Sequence, residues 1–168
     1  MHRYFNRMPH HTKNHTLTPE QLEAEYTWAT EFGAIMHEIG FPLFSEFAAA
    51  IENINTPFKA IVSSGSSNYV VPALATTRIN PTHTLTFEDH HSKEEKIETI
   101  CKDWDCTPSD VYYFTDSLAD VYELENMITP GKLIGVAWGF SGKENLQKEL
   151  PVTSILQTPT ELPRLFTN

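Results

Sequence analysis

Apolar residues along this chain change their period several times, and each change predicts an element. Leu22, Tyr26, Ala29, Phe32, Ile35, Met36 and Ile39 recur at three- and four-residue spacing, which predicts an amphipathic helix with these side chains in the core. Thr18-Pro19-Glu20-Gln21 supplies its start, with Thr18 as N-cap, Pro19 at the first position and Gln21 closing a capping box. Gly40 stops it. A second amphipathic helix is predicted over about 43–54, ending before Thr56-Pro57. The period then shortens. Phe58 to Val62, FKAIV, reads as a strand that delivers the chain into Ser63-Ser64-Gly65-Ser66-Ser67 and a helix over about 68–77. A weaker strand is expected at Thr84 to Phe87, followed by Glu88-Asp89-His90-His91. Ser92 caps a helix from Lys93 to about Trp104, with Ile97, Ile100 and Cys101 facing inward.

The strongest strand signal is Val111 to Thr115, VYYFT, an apolar run without polar alternation of the kind buried on both faces of a parallel sheet. It runs into Asp116, and a second carboxylate, Asp120, follows four positions on at the start of a helix reaching about Met127. Lys132 to Trp138, KLIGVAW, predicts another buried strand ended by Gly139. A short helix near 144–149, a brief strand at Ser154 to Leu156 and a terminal helix from Thr158-Pro159 through Phe166 complete the order. Strands alternating with helices imply right-handed crossovers and an α/β fold: a parallel sheet with helices on both faces.

Composition narrows the partners. The chain has 168 residues and a formal charge of -10, which suits one globular domain and argues against nucleic acid or an anionic membrane as partner. Cys101 and Cys106 read as reduced thiols, no apolar run reaches membrane-spanning length, and residues 1–16 lack the apolar stretch of a signal peptide. A cytoplasmic protein is expected. Residues 1–16 carry His2, His10, His11 and His15 at irregular spacing, and a solvated flexible tail is the better reading than a metal site.

Two places carry candidate chemistry. A strand feeding the Ser63–Ser67 turn and then a helix gathers hydroxyls and backbone N–H groups into an anion cradle, or, more plainly, is a βα turn with a serine N-cap. Asp116 and Asp120, at a strand end and one turn apart, form a half-site for Mg2+, which is usually held by one or two carboxylates plus substrate phosphate. Alternatively Asp116 caps the helix and Asp120 is solvated. Adding Lys93 yields a hydroxyl donor, a cation and a carboxylate pair, the electrostatic parts of phosphoryl-transfer chemistry.

In this order and spacing, FKAIVS, HSKEEKI and YYFTDSLAD resemble the second, third and fourth motifs of the haloacid dehalogenase superfamily of hydrolases, mostly phosphatases. IGVAWGF, ENL and TPTELPRLF also resemble the tail of its phosphoglycolate-phosphatase-like members. The resemblance covers about Phe41 to the end of the chain. It implies a three-layer Rossmann-like sheet, with 17–54 a helical cap remnant and lead-in helix and 55–168 the α/β core. It also implies catalytic Ser63 and Lys93, with Lys96 as second choice to Lys93, phosphate binding by Ser63, Ser64, Gly65 and Lys93, and Mg2+ on Asp116 and Asp120. The substrate would be a small phosphorylated metabolite. The family's first motif, a strand followed by DxD whose first Asp is the nucleophile, has no counterpart: the first aspartate of this chain is Asp89. Asp103 and Asp105 form a DxD after a helix and are expected to be solvated. A truncated or degenerate phosphatase, with self-association or a complementing N-terminal segment, is one expectation. A non-catalytic phosphate- or partner-binding module is the other.

Overall fold

The computed structural model describes residues 16–166. They fall into two compact units divided between Lys96 and Ile97. His2, His10, His11 and His15 lie outside the described residues. Both units are α/β, and each holds a small parallel sheet.

In the first unit, helix α1 spans Pro19–Ile39 and α2 spans Ser45–Asn53. The capping box at the head of α1 forms in both directions. Gln21 N–H donates to Thr18 Oγ1 at 3.3 Å, and the Thr18 N–H donates to Gln21 Oε1 at 2.8 Å. Gly40 ends α1 at φ 86°, a conformation that costs glycine little. Strand β1, Ala60–Val62, pairs in parallel with β2, His83–Leu85, in the register Ile61 to Thr84. Helix α3, Ser67–Leu74, crosses between them and packs on α1.

The contact between α1 and α3 corrects the expected core stripe. Ala29 and Gly33 are the buried residues of α1, whereas Leu22, Tyr26, Ile35 and Ile39 are exposed. At about 100° per residue, Ile35 and Ile39 point roughly 120° away from Ala29 and Gly33 and lie off the contact with α3, whereas Leu22 and Tyr26 share the Ala29 side but sit nearer the start of the helix and stay exposed. Only the face with small residues lets α3 approach. A Cβ on Gly33 would lie 2.6 Å from the Asn68 side chain, which itself donates to the Ala29 carbonyl at 3.2 Å.

Helix α4, Lys93–Asp103, contains the division between the units. Glu95 N–H donates to Ser92 Oγ at 3.4 Å, as the expected cap requires. Beyond α4 the backbone turns through Asp105 at φ 52°, where Asp is tolerated, and Cys106 N–H closes on the Cys101 carbonyl at 3.0 Å. Cys101 and Cys106 are free thiols, and Asp103 and Asp105 are exposed.

The second unit is organised on β3, Tyr113–Thr115, β4, Leu133–Val136, and β5, Ile155–Leu156, in the parallel order β3-β4-β5. Helix α5, Leu118–Leu124, and α6, Gly142–Leu146, accompany them. All four residues of β4 are buried, which matches an uninterrupted apolar run. Leu124, Leu146, Ile155, Leu156 and Leu162 close the core around it. The strands are shorter than the apolar runs, because only Tyr113 to Thr115 find register with Leu133 to Gly135. The chain after Thr158 forms a 3-10 helix, Pro159–Leu165, rather than the expected α-helix; Pro163 lies inside it and lacks the N–H an α-helix would use. Among the described residues no helix is long and apolar enough to cross a membrane.

Candidate functional site

Ser63 follows the last residue of β1, and its N–H continues the ladder by donating to the Leu85 carbonyl at 2.9 Å. The turn after it is tied locally. Gly65 N–H donates to Ser63 Oγ at 2.9 Å, and the Phe87 N–H donates to the Gly65 carbonyl at 2.9 Å. Gly65 therefore spends its own N–H inside the turn. Tyr69 packs close on it: a Cβ at Gly65 would lie 2.5 Å from the phenolic oxygen, so the ring lies directly over the turn. Burial pushes the Tyr69 phenol above its ordinary pKa.

Two cations arrive from α4. Lys93, 5 % exposed, donates through Nζ to the Ser64 hydroxyl. Lys96, 1 % exposed, donates through Nζ to the Ser63 carbonyl at 2.6 Å. The two lysines lie on one side of α4, three residues apart and close to one turn of helix, so both reach the same turn. Ser63, Ser64, Gly65, Lys93 and Lys96 thus meet at the carboxyl end of β1, where open α/β sheets receive ligands.

Glu88 completes this region and was not singled out as a candidate. Ser66 is the N-cap of α3, and its hydroxyl also donates to Glu88 Oε1; Ser67 N–H donates to Glu88 Oε2 at 2.9 Å. The first-turn N–H groups expected to cradle a ligand anion already face an internal carboxylate. Burial raises the Glu88 pKa, but bonds from the Ser66 hydroxyl, the Ser67 N–H and the Thr86 hydroxyl outweigh it and hold the group down to about 2. The available signal was a carboxylate directly after the β2 strand pattern.

In the second unit Asp116 follows β3. Neither plain reading of the Asp pair holds. The N-cap of α5 is Ser117, whose Oγ accepts from Ala119 N–H at 3.2 Å, so Asp116 is released from capping. Asp120 is 9 % exposed rather than solvated, and its Oδ2 accepts from Thr115 Oγ1 at 2.8 Å and from the Tyr113 hydroxyl at 3.2 Å. Burial drives the Tyr113 phenol well above its usual range, and the Asp120 charge adds to it.

Asp116 is held from the loop after β4. Phe140 N–H donates to Asp116 Oδ2 at 2.8 Å, Ser141 N–H donates to the Asp116 carbonyl at 2.9 Å, and Leu118 N–H donates to Ser141 Oγ at 3.2 Å. Gly139 is the residue that permits this. A Cβ there would lie 2.2 Å from the Asp116 Cβ and 2.4 Å from Oδ2. Sequence reasoning used Gly139 only as a strand end; its part in positioning Asp116 carries no local signal.

The donor chemistry suits magnesium in part. Phe140 takes one oxygen of Asp116, and among the bonds of the described residues Oδ1 is left for a cation. Asp120 has one oxygen committed to two hydroxyls. Among the described residues no group of three or more His, Cys, Asp or Glu is gathered to hold a metal ion. Asp116 fits as a single carboxylate ligand, which needs substrate or water oxygens to complete a magnesium sphere, and Asp120 is buried on Thr115 and Tyr113.

No family model, no curated protein and no solved structure matches this chain.

Proposed function

We propose that the chain is a haloacid-dehalogenase-like α/β module, with the family's three-layer sheet, that binds the phosphate group of a small phosphorylated metabolite in the cytoplasm. The observation that carries this reading is the delivery of two buried ammonium groups, Lys93 and Lys96, onto the Ser63–Ser64 turn at the end of β1. A lysine ammonium has three N–H donors and acts as a point charge on phosphate, and desolvation at the turn strengthens that attraction. Ser63 and Ser64 add hydroxyls at the same place. By resemblance, Asp116 would bind Mg2+ with Asp120 in support. The carboxylate Oδ1 of Asp116, fixed by the Phe140 N–H on Oδ2, is the atom suited to that ligation.

Hydrolysis is a separate matter. The covalent route of the family needs a nucleophilic aspartate ahead of the serine motif, and the first aspartate of this chain is Asp89. Phosphate binding without turnover is therefore the expected behaviour of this chain by itself.

Titration calorimetry with inorganic phosphate, on the chain and on Lys93→Met, tests the binding reading. Binding by the parent and its loss in the variant is the expected result; equal heats in both would remove Lys93 from the site. A magnesium-supplemented assay with a simple phosphate monoester should stay at background. Turnover that vanishes in Asp116→Asn would show that another group serves as nucleophile.

A further inference from the structure

The face of α1 that carries Trp28, Ile35 and Ile39 has a pattern of its own, with Phe32 at its edge packed on Tyr69 of α3 at 5.0 Å between ring centroids. Trp28, Phe32, Ile35 and Ile39 are spaced by four, three and four residues, the alternation of a heptad seam that one helix offers to another. Trp28 and Phe32 stack with ring centroids 4.9 Å apart and planes 7° from parallel, so the upper part of the seam is already ordered. Trp28, Ile35 and Ile39 are nevertheless 50, 52 and 67 % exposed. Leu43 and Phe44, just past the end of α1, are exposed as well. A row of large apolar side chains left in water on a folded surface is the usual mark of an interaction site.

The charges beside the seam say what kind of partner fits. Glu31 and Glu38 are exposed and lie four residues before and three after Ile35, on its flank. Over its whole length α1 carries Glu20, Glu23, Glu25, Glu31 and Glu38 and no lysine or arginine. A second copy of this chain would set glutamate rows against each other, which opposes pairing. A helix with basic residues beside an apolar seam would meet them with opposite charge, and the net charge of -10 would draw it in.

We propose that the Trp28–Ile35–Ile39 face of α1 is a docking surface for a basic amphipathic helix of another protein. Its seam would cover Trp28, Ile35 and Ile39, and its lysines or arginines would lie beside Glu31 and Glu38.

The test uses the full chain and two labelled synthetic helices of about three heptads with leucine at the seam positions, one with lysine at the flanks and one with glutamate. Fluorescence anisotropy should show binding of the lysine peptide, weakening as salt shortens the screening length from roughly 30 Å at 0.01 M to roughly 3 Å at 1 M, and none of the glutamate peptide. Ile35→Asp with Ile39→Asp should weaken binding about tenfold or more, as loss of a buried apolar anchor does. Glu31→Lys with Glu38→Lys leaves the seam intact and should exchange the preference to the glutamate peptide. Absence of binding by the lysine peptide, or equal binding of both peptides, overturns the proposal. So does a sedimenting dimer that Ile35→Asp dissociates, which would assign the face to a second copy, or seam-dependent capture of the chain by neutral lipid vesicles.

Discussion

Single residues decide the candidate site through atoms that leave no room for exchange. Gly139 has an ordinary backbone, yet a methyl group there would overlap Asp116 at its Cβ, which has no flexible end to swing away. Gly139→Ala should destabilise the second unit by about 1–3 kcal/mol, the usual cost of forcing extra volume into a tight contact, read as a lowered urea midpoint. An unchanged midpoint would mean that the loop after β4 yields freely. Glu88 makes a pH prediction. Its folded pKa, about 2, lies below the ordinary carboxylate value, so its contribution is present above the unfolded pKa and is lost as pH falls from about 4.5 through 2. The thermal midpoint should fall over this window, and Glu88→Gln should flatten that part of the fall. Parallel profiles for the two proteins would show that the Ser66 and Ser67 bonds to Glu88 do not matter for stability.

At the scale of elements, α1 is the clearest case of a correct element with an incorrectly assigned face. Its start, end and length follow from Thr18, Pro19, Gln21 and Gly40, all acting within one turn. Which side is buried depends on α3, through Ala29, Gly33 and Asn68. Gly33→Val should push α1 off α3 and speed amide exchange along 19–39 while leaving β3 and β4 protected. Uniform acceleration in both units would show that α1 supports the whole chain rather than its own unit. Thr18→Ala should cost about 1 kcal/mol of helix stability, seen as faster exchange confined to the first turn. The strands show the opposite pattern. Their centres were legible from VYYFT and KLIGVAW, but their lengths were not, since a strand extends only as far as its neighbour offers register.

For the whole molecule, charge is the property that acts everywhere at once. Twenty-two acidic against twelve basic residues give -10, and self-repulsion of that size opposes a compact state. Raising sodium chloride from low to physiological ionic strength should therefore raise the melting temperature, as screening over about 8 Å weakens long-range repulsion more than close pairs. A fall would mean that attractive pairs dominate the balance.

Most element types and the caps could be recognised in the chain alone, because the forces that define them act over three or four residues. Hydroxyl-to-amide caps and apolar periodicity are of this kind. Partners across the fold could not be recognised. Lys96 meets Ser63 over 33 residues, Asp116 meets Phe140 over 24, and Ser66 meets Glu88 over 22. Each such contact exists only after loops have closed and strands have taken register, and closure entropy must be recovered by packing that no local window contains. That is why the internal carboxylate at the head of α3, the burial of Asp120 and the exposed seam of α1 were settled by the tertiary structure.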